Sequence, residues 1–152
     1  MLSEGQPLDE ALVRSRPARQ MDSMAVRDRA LARAIASTTL RRLGQLDAVL
    51  GAFLDKGLPK KSGPLREILL TAACQILFLE TPDHAAIDLG VTLVKQDRNA
   101  RHFDKLANAV LRRVTQDGPA LVAEQDAARL NTPDWLWTRW VSTYGEVRAR
   151  KI

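Results

Sequence analysis

Residues 64–79, Pro-Leu-Arg-Glu-Ile-Leu-Leu-Thr-Ala-Ala-Cys-Gln-Ile-Leu-Phe-Leu, constrain this chain more than any other stretch. From Ile68 to Leu79 only Thr71 and Gln75 are polar. They stand four apart, so on a helix they share one narrow face. A helix that is apolar in every other direction must be surrounded by other helices. The run is too short to cross a bilayer, which takes about 18–20 apolar residues. Its length and its Ala, Leu and Gln content favour helix over strand. Pro64 suits the first turn, with Ser62 or Gly63 as cap, and Pro82 marks the end. The reading is a buried central helix over about residues 64–79.

The rest of the chain supplies the surrounding helices. Its 152 residues suffice for a real core, and a hydrophobic content of 45% excludes wholesale disorder. No segment shows the period-two alternation of a strand, so the class is all-α. A single cysteine permits no internal disulfide and points to a cytoplasmic protein. No signal peptide or membrane segment is expected.

In chain order, Gln6 to Leu12 reads as a short helix and residues 14–22 as an Arg-rich connection. Ser23 is placed to cap a long helix through Val26, Leu31 and Ile35, bending at Gly44 and resuming through Leu46, Val49, Leu50 and Leu54 to Gly57. After the central helix come one over Ala86–Val94 and one from about Arg101 that stops at Gly118-Pro119. The composition shifts there, because all three tryptophans and the only tyrosine follow. The expected organisation is a helical domain over residues 1–118, then a linker and Trp-rich helix over 119–152. The expected core is Leu31, Ile35, Leu46, Leu50, Ile68, Leu69, Ala72, Ala73, Ile76, Leu77, Val91, Val94, Phe103, Val110 and Leu111.

The formal net charge is +5. Residues 14–42 alone carry eight arginines against Asp22 and Asp28, and residues 98–113 form a second basic stretch. Such a distribution suits nucleic acid, although a solvated basic face is the plainer reading. The candidate RNA contacts are Arg27, Arg41, Arg42, Arg98, Arg101, Arg112 and Arg113. Asn108, on an apolar helix, is expected to serve a structural role by bonding the backbone of a nearby loop. Cys74 lies among Ala72, Ala73, Ile76 and Leu77, which marks a core thiol and not a nucleophile. His84 and His102 have no neighbours at ligand spacing, so no metal is expected. Trp135, Trp137 and Trp140 suit packing better than base stacking, because only Arg139 interleaves them. No catalytic residue emerges.

Three stretches together carry a resemblance. They are Arg27-Asp28-Arg29-Ala30 through Thr39-Leu40-Arg41-Arg42-Leu43-Gly44-Gln45-Leu46-Asp47, Gln75-Ile76-Leu77-Phe78-Leu79 with Pro82-Asp83-His84-Ala85-Ala86, and Leu106-Ala107-Asn108-Ala109-Val110-Leu111-Arg112-Arg113. In this order they resemble the NusB-like domain at the N-terminus of RsmB-type 16S rRNA cytosine-C5 methyltransferases, over roughly residues 7–145. The tail Leu130-Asn131-Thr132-Pro133-Asp134-Trp135-Leu136-Trp137 is similar to the region leading into that enzyme's catalytic domain. The resemblance implies a NusB-like helical bundle acting as an RNA-binding accessory domain that helps position 16S rRNA. It places the transfer chemistry, its paired cysteines and its S-adenosylmethionine in a catalytic domain of the parent protein that this chain lacks. It also implies that a first helix is missing, leaving a groove beside Leu8, Leu12 and the Val26-to-Leu54 region, to be filled by the Trp helix or, through self-association, by a second copy of the chain. The alternative is a NusB-type protein–protein module of transcription antitermination, whose mark would be a large exposed apolar patch.

Overall fold

The computed structural model describes Pro7, Glu10 and residues 20–152. The expected helix over Gln6 to Leu12, most of the Arg-rich connection and the groove beside Leu8 and Leu12 lie outside these residues. The chain divides after Ser37 into two compact units. Among the described residues every regular element is helical, as the absence of strand periodicity predicts.

Helix α1, Val26–Arg41, spans that division. Ser23 does not cap it, because its hydroxyl donates to the carbonyl of Gln20 and the helix starts three residues later. Leu31, expected in the core, is 49% exposed. Helical spacing alone cannot tell a core face from an apolar surface face.

In the second unit, α2 is Leu43–Phe53, α3 is Leu65–Phe78 and α4 is Asp83–Gln96. A 3-10 turn over Arg101–Phe103 leads into α5, Asp104–Glu124. Helix α3 is the expected central helix and packs against α2, α4 and α5. Leu65, Leu69, Ala73 and Cys74 on it are fully buried, and each large aliphatic side chain so buried contributes roughly 1.5–3 kcal/mol. The two polar side chains within its apolar run are satisfied by the helix itself. Thr71 Oγ1 donates to the carbonyls of Glu67 and Ile68, and Gln75 Nε2 to that of Thr71. Of the expected core, Leu46, Leu50, Leu69, Ala72, Ala73, Val94, Val110 and Leu111 are buried, joined by Val49, Leu65, Ala107 and Val114, while Ile68, Ile76, Leu77 and Phe103 are partly buried against them.

Two element ends differ from expectation for the same reason. The break between α1 and α2 falls at Arg42, whose φ of −106° and ψ of 15° leave the helical region, and not at Gly44. Gly44 lies inside α2, where a Cβ would overlap the carbonyl of Leu130. Helix α5 does not stop at Gly118-Pro119 but continues to Glu124. Gly118 is buried, and a Cβ there would stand 2.9 Å from Leu77 Cδ2 on α3. Both glycines permit close approach of another segment, and tertiary packing outweighs the local cost of Pro119.

The tail follows as α6, Ala127–Leu130, α7, Asp134–Tyr144, and α8, Glu146–Ala149. Asp126 caps α6 by accepting from the backbone N–H of Arg129 at 3.2 Å. Two guanidinium groups, those of Arg129 and Arg150, lie over the Trp137 ring at 5.7 and 5.4 Å from its centre. Arg150 also pairs with Asp126 and Glu146. Trp135, by contrast, is 68% exposed.

Candidate nucleic-acid interface

The seven candidate arginines are all exposed. Arg27 belongs to the first unit; the other six lie in the second. Contacts along α2 locate these six. Arg42, at its start, stacks on Phe78 at 5.1 Å from the ring centre and donates through Nη1 to Gln45 Oε1 at 3.0 Å. Arg113 stacks on Phe53, the last residue of α2, at 4.7 Å. Eleven helical residues separate these points, about 16 Å along the axis. Arg112 turns to its own helix, donating through Nε to Asn108 Oδ1 at 3.4 Å. Arg98 and Arg101 flank a turn in which Asp97 Oδ1 accepts from the N–H groups of Asn99 and Ala100. Arg41 and Arg42 therefore stand at one end of the bundle, while Arg98 and Arg101 lie towards the other, beside the loop after α2.

That second end holds cations the sequence reading passed over. The loop from Lys56 to Gly63 meets the Asp97–Asn99 turn, since a Cβ on Gly63 would lie 3.0 Å from Asn99 Cβ and 3.0 Å from Asp97 Oδ1. This brings Lys56, Lys60 and Lys61 towards Arg98, Arg101 and Lys105, all exposed. Among the described residues none of the six is paired with a carboxylate. The signal in the sequence was the Lys60-Lys61 pair in a loop bracketed by Gly57 and Gly63.

The first end is built differently. Gln45 is only 2% exposed, and its backbone N–H, its carbonyl and its side-chain Oε1 are each bonded by the tail. Asn131 Oδ1 accepts from the Gln45 N–H at 3.1 Å, Asn131 Nδ2 donates to Gln45 Oε1 at 2.8 Å, and Gln125 Nε2 donates to the Gln45 carbonyl at 3.1 Å. The role of amide partner to a distant segment thus falls to Asn131. Asn108 is half-buried and accepts from Arg112 within its own helix, which corrects its expected loop contact. Sequence could not separate the two asparagines, because the bond spans 86 residues.

Cys74 is wholly buried between these ends. Burial pushes its thiol above the ordinary range, opposed in part by the Thr39 hydroxyl and the Arg42 guanidinium. A buried thiol held protonated is a packing group. His84 and His102 are exposed, and among the described residues no three His, Cys, Asp or Glu side chains are grouped to hold a metal ion.

The sequence profile of the NusB family matches residues 2–116. The chain belongs to the NusB family. All seven candidate arginines fall inside the NusB match, whereas Asn131 and the Trp-bearing α7 fall outside it. The Gln45–Asn131 bonds therefore tie the NusB region to the tail. Among curated relatives the chain is 33% identical over 120 residues to ribosomal RNA small subunit methyltransferase B of Xanthomonas campestris, covering 79% of this chain and 26% of that protein. It is 38% identical over 125 residues to the protein of that name from Thermus thermophilus, covering 80% and 28%. With the Shewanella oneidensis protein it shares 28% identity over 144 residues, covering 95% and 32%. The chain thus spans about a quarter to a third of the length of these relatives. No solved structure matches it.

Proposed function

We propose that this chain is the RNA-binding accessory domain of an rRNA cytosine-C5 methyltransferase and helps position 16S rRNA. The observation that carries the reading is the NusB match over residues 2–116, shared with relatives named ribosomal RNA small subunit methyltransferase B. The unpaired cations at the bundle end support it, because phosphate neutralisation by Lys and Arg supplies most of the affinity of such modules. The methyltransferase name of the relatives disfavours the antitermination alternative.

In this reading the transfer chemistry and S-adenosylmethionine belong to parts of those relatives that the chain does not span. Cys74 is the one cysteine of the chain, and its buried, protonated thiol is unsuited to attack a pyrimidine ring. The tail over 119–152 would lead towards the catalytic domain, with Trp135, Tyr144 and Val147, at 68%, 51% and 73% exposure, as surface for it to cover. Among the described residues no helix is long and apolar enough to cross a membrane, and a cytoplasmic site of action accords with ribosomal RNA as partner.

The test is binding of a structured 16S rRNA fragment at two ionic strengths. Affinity should fall steeply from 50 to 200 mM salt, with a log–log slope of about −0.9 for each phosphate neutralised on a duplex. A salt-insensitive interaction would overturn the reading.

A further inference from the structure

Helix α4 carries two apolar faces. Its inner face, Ala86, Gly90 and Val94, is buried against α3 and α5. Gly90 sets that approach, since a Cβ there would stand 3.1 Å from Leu111 Cδ1 and 3.2 Å from Ala72 Cβ. A surface helix needs only one such stripe. A second runs beside it through Ala85, Leu89 and Leu93, which follow one another at single turns, with Thr92 and Gln96 completing it. All five are exposed, Leu89 and Leu93 by 49% and 41%, and none is charged. Single exposed leucines are ordinary, whereas two stacked on one ridge of a helix form a contiguous patch. Asp88 and Lys95 border this patch. Both are exposed, and among the described residues neither is in an ion pair. They stand seven apart, so they lie on the same flank of the stripe.

We propose that the Ala85–Leu89–Leu93 stripe is the interface of a weak homodimer, in which α4 packs antiparallel against α4 of a second copy. The charges select this occupant. A two-fold axis relating antiparallel helices sets each flank of one helix against the same flank of the other. With the crossing point between Gly90 and Thr92, Leu89 of one copy meets Leu93 of the other. Asp88 of one copy then meets Lys95 of the other, at two symmetric places. The helix therefore complements itself in charge as well as in hydropathy. A parallel pair would set this flank against the opposite one and lose both charge contacts. The 14 residues of α4 span about 21 Å. One helix per copy buries less than a standard interface, so the dimer is weak and forms only at high concentration. The inference is independent of the RNA reading, because it uses none of the cations assigned there.

The experiment is sedimentation equilibrium of the full chain from roughly 10 μM to 1 mM, the range in which a contact of this size dissociates. The expected result is a monomer–dimer equilibrium. Asp88→Lys and Lys95→Asp, each alone, turn two attractive contacts repulsive and should weaken association about tenfold. Mixing these two variants should restore it, because the introduced charges face their opposites in the mixed dimer. The exchanged chain, Asp88→Lys/Lys95→Asp, should dimerise as the unaltered one does. Leu89→Glu should abolish the dimer. The charge variants touch only exposed side chains, so their thermal midpoints at low concentration should match that of the unaltered chain. A chain that stays monomeric throughout this range overturns the proposal. So does a dimer that ignores all these variants, which would place self-association on another face. Weakening by the single variants without rescue in the mixture overturns it as well, because α4 then meets a different surface of the second copy.

Discussion

The two ends of α2 hold arginines and lysines to opposite effect. At its N-terminal end Arg42 is stacked on Phe78 and bonded to Gln45, and Gln45 is bonded in turn to the tail through Asn131 and Gln125. At its C-terminal end Lys56, Lys60 and Lys61 are exposed and have no carboxylate partner among the described residues. The first end uses polar groups to hold the chain to itself. The second leaves them for something else. A basic sequence therefore does not map directly onto a basic binding surface. What matters is whether the fold already satisfies each cation.

The largest perturbation would erase the comparison by removing the core between the two ends. Ala73 is fully buried on α3, and Ala73→Glu would bury an uncompensated carboxylate at a cost of several kcal/mol. We expect no cooperative thermal transition for that variant.

The next effects act on the N-terminal end alone. Gly44→Ala forces a Cβ into the Leu130 carbonyl, so the tail must shift, with an expected loss of about 1–3 kcal/mol. Gly51→Ala, on the same helix with nothing within 4 Å, is the control and should stabilise by about 0.5–1 kcal/mol. Denaturant melts of the pair should move in opposite directions. Asn131→Ala leaves the buried Gln45 side chain and N–H short of partners and should cost about 1–2 kcal/mol. RNA binding by the refolded Asn131 variant should persist, because the cationic end is untouched.

The smallest effect concerns acid. The side-chain bond from Arg150, then the backbone N–H of Arg129, hold Asp126 below its ordinary value of 3.8. A carboxylate with a depressed folded pKa contributes stability that is present above its unfolded pKa and lost as pH falls through the folded one. The tail should therefore loosen only below about pH 4. Trp137, in contact with the Arg150 and Arg129 guanidinium groups, reports it through fluorescence, and Asp126→Asn should remove that acid transition while leaving the neutral spectrum similar.

The central helix was legible in the sequence because burial on all sides demands a run that is apolar on all sides, and residues 64–79 supply one. The all-α class followed from the same periodicity. The family was legible in motifs such as Leu106 to Arg113, and the match over residues 2–116 establishes it. The ends of α1 and α5 were not legible, because Gly44 and Gly118 look like helix breakers until Leu130 and Leu77 are seen to press against them. The candidate site was legible only as a charge excess. Its division into a satisfied end and an open one depends on bonds such as Gln45–Asn131, across 86 residues, and on the meeting of the Gly63 loop with Asp97. Sequence by itself marked the all-round apolar run of the central helix for burial, through the free energy of removing apolar surface from water, but not the one-sided spacing of α1, where Leu31 is exposed. Only the tertiary structure decided which charges remain free, because pairing depends on distances between segments that local pattern does not encode.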